Sequence, residues 1–241
     1  MRTCLLILVL ATLAACNIAP APTAPRAPSA PAATENTPRL SPAVAVANFE
    51  EVVARVEPVA ERVCREQTRR QNCDYVIAVE RDPRAGVNAF QTEDRQGRPL
   101  IIFSLGLIAE ARNIDELAFV MGHEAAHHIE GHIPQQRASA REGAIVFGIL
   151  AQMGGANQAG IQQAVEIGAA VGARRFSQEH ELEADAMGTI IALRAGFDPV
   201  RGSAFFERLP DPGEQFLGSH PPNAARQAIV RETVARYGGR S

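Results

Sequence analysis

The sequence predicts an α+β domain, mainly helical, with a small β-sheet of about three strands. Three observations carry that expectation. Apolar residues recur at helical spacing through Val46, Phe49, Val52, Val53 and Val56, and Ala/Ile/Val-rich stretches return between Ala144 and Ala173. Three short β-prone runs, Tyr75 to Val79, Val87 to Phe90 and Pro99 to Phe103, are separated by turn pairs such as Asp82-Pro83 and Gln96-Gly97. The chain has 241 residues, 46% hydrophobic and 21% charged, which is enough to bury one good core and short for two large ones. A formal charge of -3 without any Lys/Arg run gives no electrostatic footprint for nucleic acid, and that partner class is set aside.

Residues 1–15 read as a signal peptide, with Arg2 as a thin positive start and Leu5 to Leu13 as an apolar stretch too short to span a bilayer. The segment closes on Leu13-Ala14-Ala15-Cys16, which resembles the lipobox of bacterial lipoproteins. That resemblance implies a lipid on Cys16 holding the chain to a membrane. Asn17 is not the aspartate that retains many such proteins at the inner membrane, so the expected location is the outer membrane, facing the periplasm. Residues 16–43 are dominated by Ala, Pro, Thr and Ser and cannot bury a core, so they read as a disordered, partly polyproline tether. Cys4 leaves with the signal and Cys16 takes lipid. Cys64 and Cys73 are then an even pair in an oxidising compartment, which suggests a disulfide.

The folded domain is expected over 44–241. Its first helix starts near Val44, Pro58 interrupts or kinks the pattern, and a second helical stretch runs to about Arg70. Beyond the strands, helix returns at Leu105 to Ala111. Asn113 with Glu116 three residues on then reads as a capping box, opening a helix anchored by Leu117, Val120, Met121 and Ile129. The apolar pieces on either side of Gly154-Gly155 are shorter than the roughly 20 residues that cross a bilayer, so they read as a helical hairpin beside the active site. A further helix from about Gln178 to Ala195 stops at Gly196, and a last one starts at Pro221 and Pro222 and ends near Tyr237.

The chemistry is concentrated in His123-Glu124-Ala125-Ala126-His127. On a helix the two histidines, four apart, share a face and can supply two of the three protein ligands of a catalytic zinc ion. Glu124 sits about 100° round the helix, where it can serve as general base toward a water molecule attacking a peptide carbonyl. His132 is a candidate third ligand, but a three-histidine extension of the motif needs Gly and His where Glu130 and Ile133 stand. His128, off the ligand face, is expected to face solvent or to donate from behind the ligands. Glu181 and Asp185, four apart on a later helix, can pair a ligand carboxylate with one that orients a ligand histidine. Composition alone leaves Glu179, Glu181 and Glu183 open as the ligand.

The pairing of Gly122-His123-Glu124-x-x-His127 with Ser177-x-x-x-Glu181-x-x-Ala184-Asp185 resembles the gluzincin family of CAAX prenyl endopeptidases and bacterial envelope heat-shock proteases. The chain is most similar to its periplasmic lipoprotein branch, over about Val44 to Tyr237. The resemblance implies a gluzincin-type metallopeptidase domain with one Zn2+ per chain held by His123, His127 and Glu181. It makes Glu124 and Asp185 catalytic carboxylates. It extends to the Asn88-Ala89-Phe90 strand and a Gly106-Leu107 turn, while Gln178 stands where a basic residue is common. Ser219-His220-Pro221-Pro222, followed by Arg226, resembles the family's late His-Pro motif, which implies that His220 donates to the oxyanion or closes the site as a fourth zinc ligand.

The function so implied is a zinc endopeptidase of the cell envelope acting on unfolded, misfolded or misassembled envelope proteins. A non-cleaving, zinc-containing chaperone or assembly-factor lipoprotein of the outer membrane is the other reading. The intact Glu124 favours the protease, since a binder needs no base beside its metal. The Leu100 to Phe103 strand is expected to form the sheet edge on which an extended peptide adds.

Overall fold

The computed structural model describes residues 38–208 and 223–239. The expected signal peptide, most of the tether and His220 lie outside the described residues.

Helix α1 spans Pro42–Gln67, with Ser41 accepting from the Val44 N–H and Pro42 in the first turn, where its missing N–H costs nothing. It is one helix of 26 residues, not two separated at Pro58. Pro58 and Ala54 both lie on the exposed side, so the carbonyl that loses its partner is next to water. Val52, Val56, Val59, Ala60 and Val63 meanwhile stay buried on both sides of the proline, and that burial holds the helix through it. Just beyond, Cys64 and Cys73 are joined in a disulfide with Cα atoms 5.7 Å apart.

Strands β1 (Val76–Glu80), β2 (Ala89–Glu93) and β3 (Pro99–Ser104) form a sheet of order β1-β3-β2. β1 runs parallel to β3 with Val76 opposite Leu100, and β2 runs antiparallel with Ala89 opposite Phe103. The Leu100 to Phe103 strand is therefore central and cannot serve as the edge. Its Ile101 and Phe103 are fully buried, and a strand in that position needs both rows of backbone groups paired. The edge near the histidines is β2. The Asn88 carbonyl accepts from the Ser104 N–H, so by antiparallel alternation Ala89 and Gln91 turn their backbone groups to the open side.

Ser104 caps α2 (Leu105–Glu110), which makes the expected Gly106-Leu107 turn the first turn of a helix. α3 (Ile114–Ile129) starts at Asn113, whose side chain accepts from the Glu116 N–H. Glu116 is buried and reaches back to the Arg112 N–H at 2.8 Å, while the Arg208 guanidinium clasps both its oxygens. The expected core anchors Leu117, Val120, Met121 and Ile129 are all buried.

α4 (His132–Met153) and α5 (Gln158–Arg194) form the hairpin. The two helical stretches expected before Ala173 and after Gln178 are one helix of 37 residues, about 55 Å long at 1.5 Å per residue. Neither Gly nor Pro stands between Ala173 and Gln178 to stop it. It ends where Gly196 and Phe197 return their N–H groups to Leu193 and Ala192. α6 (Pro199–Ser203), capped by Asp198, leads into a 3₁₀ stretch over Ala204–Arg208, and neither was expected from the sequence. α7 covers Asn223–Tyr237, the prolines before it lying outside the described residues.

α3 and α5 cross at Gly122 and Gly188. A Cβ on Gly188 would lie 2.7 Å from the His123 backbone nitrogen, and one on Gly122 would lie 2.8 Å from the Gly188 carbonyl oxygen. Gly188→Ala must therefore push the two helices apart. It is expected to lower stability by about 1–3 kcal/mol in denaturant titration and to weaken metal retention. Gly239→Ala, with nothing within 4 Å of the added carbon, should leave both unchanged.

Candidate metal centre

The crossing brings His123, Glu124 and His127 of α3 against Glu181 and Asp185 of α5. The two Nε2 atoms of His123 and His127 are 3.1 Å apart, and Glu181 Oε2 and Oε1 lie 3.5 and 3.4 Å from them respectively. One donor atom from each of the three side chains lies within 4.8 Å of the other two, a triangle able to hold a metal ion. A tetrahedral centre with bonds of about 2.0–2.2 Å has ligand separations of roughly 3.3–3.6 Å, so the residues present fit such a metal.

Each histidine is held from behind. His123 Nδ1 lies 2.9 Å from Asp185 Oδ1, and Asp185 is fully buried. Arg226 of α7 grips that carboxylate with Nε and Nη2, both at 2.7 Å, and its guanidinium lies 3.4 Å from the centroid of the Phe206 ring. Its Nη2 also comes within 3.5 Å of Glu181 Oε2. Asp185 accordingly stands behind His123 and not in the wall of the cleft. On the other side His127 Nδ1 lies 2.9 Å from His132 Nδ1, and His132 Nε2 lies 3.1 Å from Glu183 Oε2.

Burial opposes a charge on His123, but its hydrogen bonds to the Asp185 and Glu181 carboxylates outweigh that and raise its pKa to about 10. His132 goes the opposite way. Burial first, then repulsion from His127 and His180, lowers it to about 3, so it stays neutral at any working pH. His128 is buried, with Nε2 2.8 Å from the Asn72 carbonyl oxygen and its ring edge-on to Tyr75. It therefore neither faces solvent nor backs a ligand, because the chain after α1 folds over that side of α3.

A cleft of about 450 Å³ opens over the triangle. His123, Glu124, His127 and Glu181 line one side, and Asn88, Ala89 and Phe90 of the β2 edge line another. Of the expected site residues, the structure brings together His123, His127, Glu181, Asp185 and Glu124, while His220 lies outside the described residues. Three participants escaped the sequence reading in these roles. In the sequence Arg226 is only a companion of the late His-Pro motif, and His132 and Glu183 are only rival ligands. The signal for the last two was spacing: an imidazole five residues after His127 and a carboxylate two after Glu181.

A mainly helical domain in which one helix offers two histidines and a glutamate, and a crossing helix offers a third donor, is built as a metallopeptidase. The chain belongs to peptidase family M48, whose model matches residues 47–234 and whose members are metal-dependent. It is 31% identical over 160 residues to a putative beta-barrel assembly-enhancing protease of Vibrio cholerae, covering 61% of this chain and 33% of that protein. It is 30% identical over 146 residues to the beta-barrel assembly-enhancing protease of Escherichia coli K12, covering 54% and 30%. The mitochondrial metalloendopeptidase OMA1 of Arabidopsis thaliana is 26% identical over 137 residues, covering 55% and 27%. The match thus spans about a third of these relatives' length or less. Among the described residues, no helix is long and apolar enough to cross a membrane.

The raised His123 gives a pH dependence with a definite sign. With the metal removed, its proton stabilises the fold fully below about pH 6.5, and that contribution is lost as pH rises through about 10. Metal binding must displace the same proton. Apparent metal affinity, measured by chelator competition, is expected to rise close to tenfold per pH unit between those limits. A flat profile would contradict the assignment.

Proposed function

We propose that this chain is a zinc endopeptidase of the bacterial cell envelope, cutting extended segments of misfolded or misassembled envelope proteins. The observation that carries the reading is the His123–His127–Glu181 triangle with Glu124 beside it, in a cleft whose other side is an open strand edge. Two imidazoles and one carboxylate favour zinc over calcium or magnesium, which take mostly oxygen ligands. Zinc bound there supplies Lewis-acid polarisation of the scissile carbonyl and acidification of water. Glu124 takes the water proton and returns it to the leaving amine. Asp185, locked by Arg226, accepts from His123 Nδ1–H and so keeps the Nε2 lone pair directed at the metal position. A peptide laid along β2 pairs with the free backbone groups of Ala89 and Gln91, which selects extended chain over any particular sequence.

The setting follows from the leader-like segment and from relatives named as beta-barrel assembly-enhancing proteases. In this reading residues 1–15 are a signal peptide, Cys16 carries lipid, residues 16–43 are the tether, and 44–241 form the catalytic domain facing the periplasm from the outer membrane. The Cys64–Cys73 disulfide suits an oxidising compartment.

The test compares the native protein with Glu124→Gln on an unfolded outer-membrane protein, with zinc measured by elemental analysis. Native activity should vanish with chelator and return with zinc, while Glu124→Gln keeps its zinc and loses on the order of 10²–10⁴ in rate. Equal cleavage by both would sink the mechanism. Neither cutting, with both keeping the substrate soluble, would give the chaperone reading instead. In the same assay His220→Ala should lower kcat about 10²–10³-fold if His220 donates to the oxyanion, and raise it if His220 is an inhibitory ligand.

Strand addition has its own test. A peptide substrate N-methylated at a residue pairing with β2 loses the one hydrogen bond its N–H donates, about 0.5–1.5 kcal/mol, and the methyl group crowds the strand edge besides. Its KM should rise about tenfold with kcat little changed, whereas an unchanged KM would rule out β2 as the docking edge.

A further inference from the structure

The geometry assigns His132 and Glu183 as a positioning relay that fixes the tautomer and ring orientation of His127. The assignment rests on the reading above that His127 ligates through Nε2. Asp185 and Arg226 hold His123, and nothing in that reading holds its partner; the relay does.

The argument is one of proton counting. The Nδ1 atoms of His127 and His132 face each other at 2.9 Å, so one of them must donate and the other accept. His127 Nε2 points at His123 Nε2 and Glu181, at 3.1 and 3.4 Å, and must keep its lone pair free for a metal. Its single proton therefore sits on Nδ1 and is donated to His132 Nδ1. The one proton of a neutral His132 is then left on Nε2, where Glu183 Oε2 accepts it at 3.1 Å. A single assignment satisfies every member without placing charge on either ring. The opposite tautomer of His132 would put its proton on Nδ1, turn His127 Nδ1 into the acceptor and force a proton onto His127 Nε2, which blocks ligation. Glu183, an acceptor only, disfavours that alternative.

The fold holds the relay in place. Gly131, at φ +68, turns the chain sharply from α3 into α4 and sets His132 behind His127. The His132 ring is buried and stacks on His180 with centroids 4.2 Å apart and planes 10° from parallel, which prevents it from rotating away. Three helices thus meet in one hydrogen-bonded line, His127 at the end of α3, His132 at the start of α4 and Glu183 on α5. The exposed Glu183 also explains why this carboxylate is no rival to Glu181: it lies on the α4 side of α5, with the imidazole of His132 between it and His127.

The experiment measures zinc affinity by competition with a chromophoric chelator, together with the visible spectrum of the cobalt-substituted protein, in the full chain. His132→Leu removes the acceptor and is expected to weaken zinc binding 10–100-fold and to shift the cobalt bands. His132→Asn, which places a carbonyl oxygen where Nδ1 was, should return affinity to within about threefold of native, as should Glu183→Gln, while Glu183→Leu falls between. Native affinity and an unchanged cobalt spectrum in His132→Leu would overturn the relay. Equal losses in His132→Leu and His132→Asn would overturn it too, since that pattern marks packing. His127→Ala separates the two levels: if it leaves zinc affinity unchanged, the ligand reading itself fails and the relay falls with it.

Discussion

The close approach of α3 and α5 at Gly122 and Gly188 sets the distance on which the rest of the centre depends. Helices packed through ordinary side chains lie 8–10 Å apart, and a side chain at either glycine would meet backbone at under 3 Å. Small buried residues recur every four positions, Ala118, Gly122 and Ala126 on α3 and Ala184, Gly188 and Ala192 on α5, a spacing that lines them up with the two crossing glycines as a seam. Glu181 and Asp185 precede Gly188 by seven and three, on the same side of α5, so the seam that brings the backbones together also aims both carboxylates at the histidines. The ligand triangle is in this sense a by-product of packing. The separations of 3.1 to 3.5 Å among its two imidazoles and its carboxylate are set by where two backbones come to rest.

That packing confines charges where water cannot screen them. Asp185 and Arg226 are both buried, and such a pair persists only when its remaining hydrogen bonds are met. They are met here, by His123 on one carboxylate oxygen and by the fork of Arg226 on both. One guanidinium nevertheless faces two carboxylates, Asp185 and Glu181, and leaves the pocket short of positive charge. The high pKa of His123 is the sign of that deficit, because a proton is the nearest available cation. A divalent metal answers it better than a proton does, and Arg226 makes α7 part of the centre.

The sequence made one half of this arrangement legible and hid the other. His123, Glu124 and His127 are local: four-residue spacing on a helix dictates a shared face, so the motif can be read without a fold. The N-cap at Asn113, the hairpin turn at Gly154-Gly155 and the stop at Gly196 are local too, and the structure has all three, although the Glu116 carboxylate returns to the Arg112 N–H and not to that of Asn113. Errors arose where a local signal met a tertiary one. Pro58 reads as a break, yet the buried valines around it carry α1 through. The apolar strand at Leu100 to Phe103 reads as the sheet edge, yet it is central, because its place depends on pairing with two other strands that no local pattern specifies. Arg226 belongs to the same class, since a charge–charge contact 41 residues apart leaves no periodic trace, while the spacing of His132 from His127 is visible but its place behind that ring depends on the left-handed turn at Gly131.

The corrected sheet order bears directly on what the cleft can accept. With β3 in the middle, its backbone groups are fully used in binding β1 and β2, and the only hydrogen-bonding row it could offer a peptide is gone. The edge that remains beside the cleft is β2, short and antiparallel, with Phe90 and Asn88 exposed beside its open row. A strand edge recognises backbone, and backbone is available only where a polypeptide is not already folded into its own sheets and helices. On the proposed function, selection of misfolded chains then requires no dedicated recognition domain. On that same proposal, the edge that would position a carbonyl over the triangle would also exclude any segment whose N–H and C=O groups are already paired.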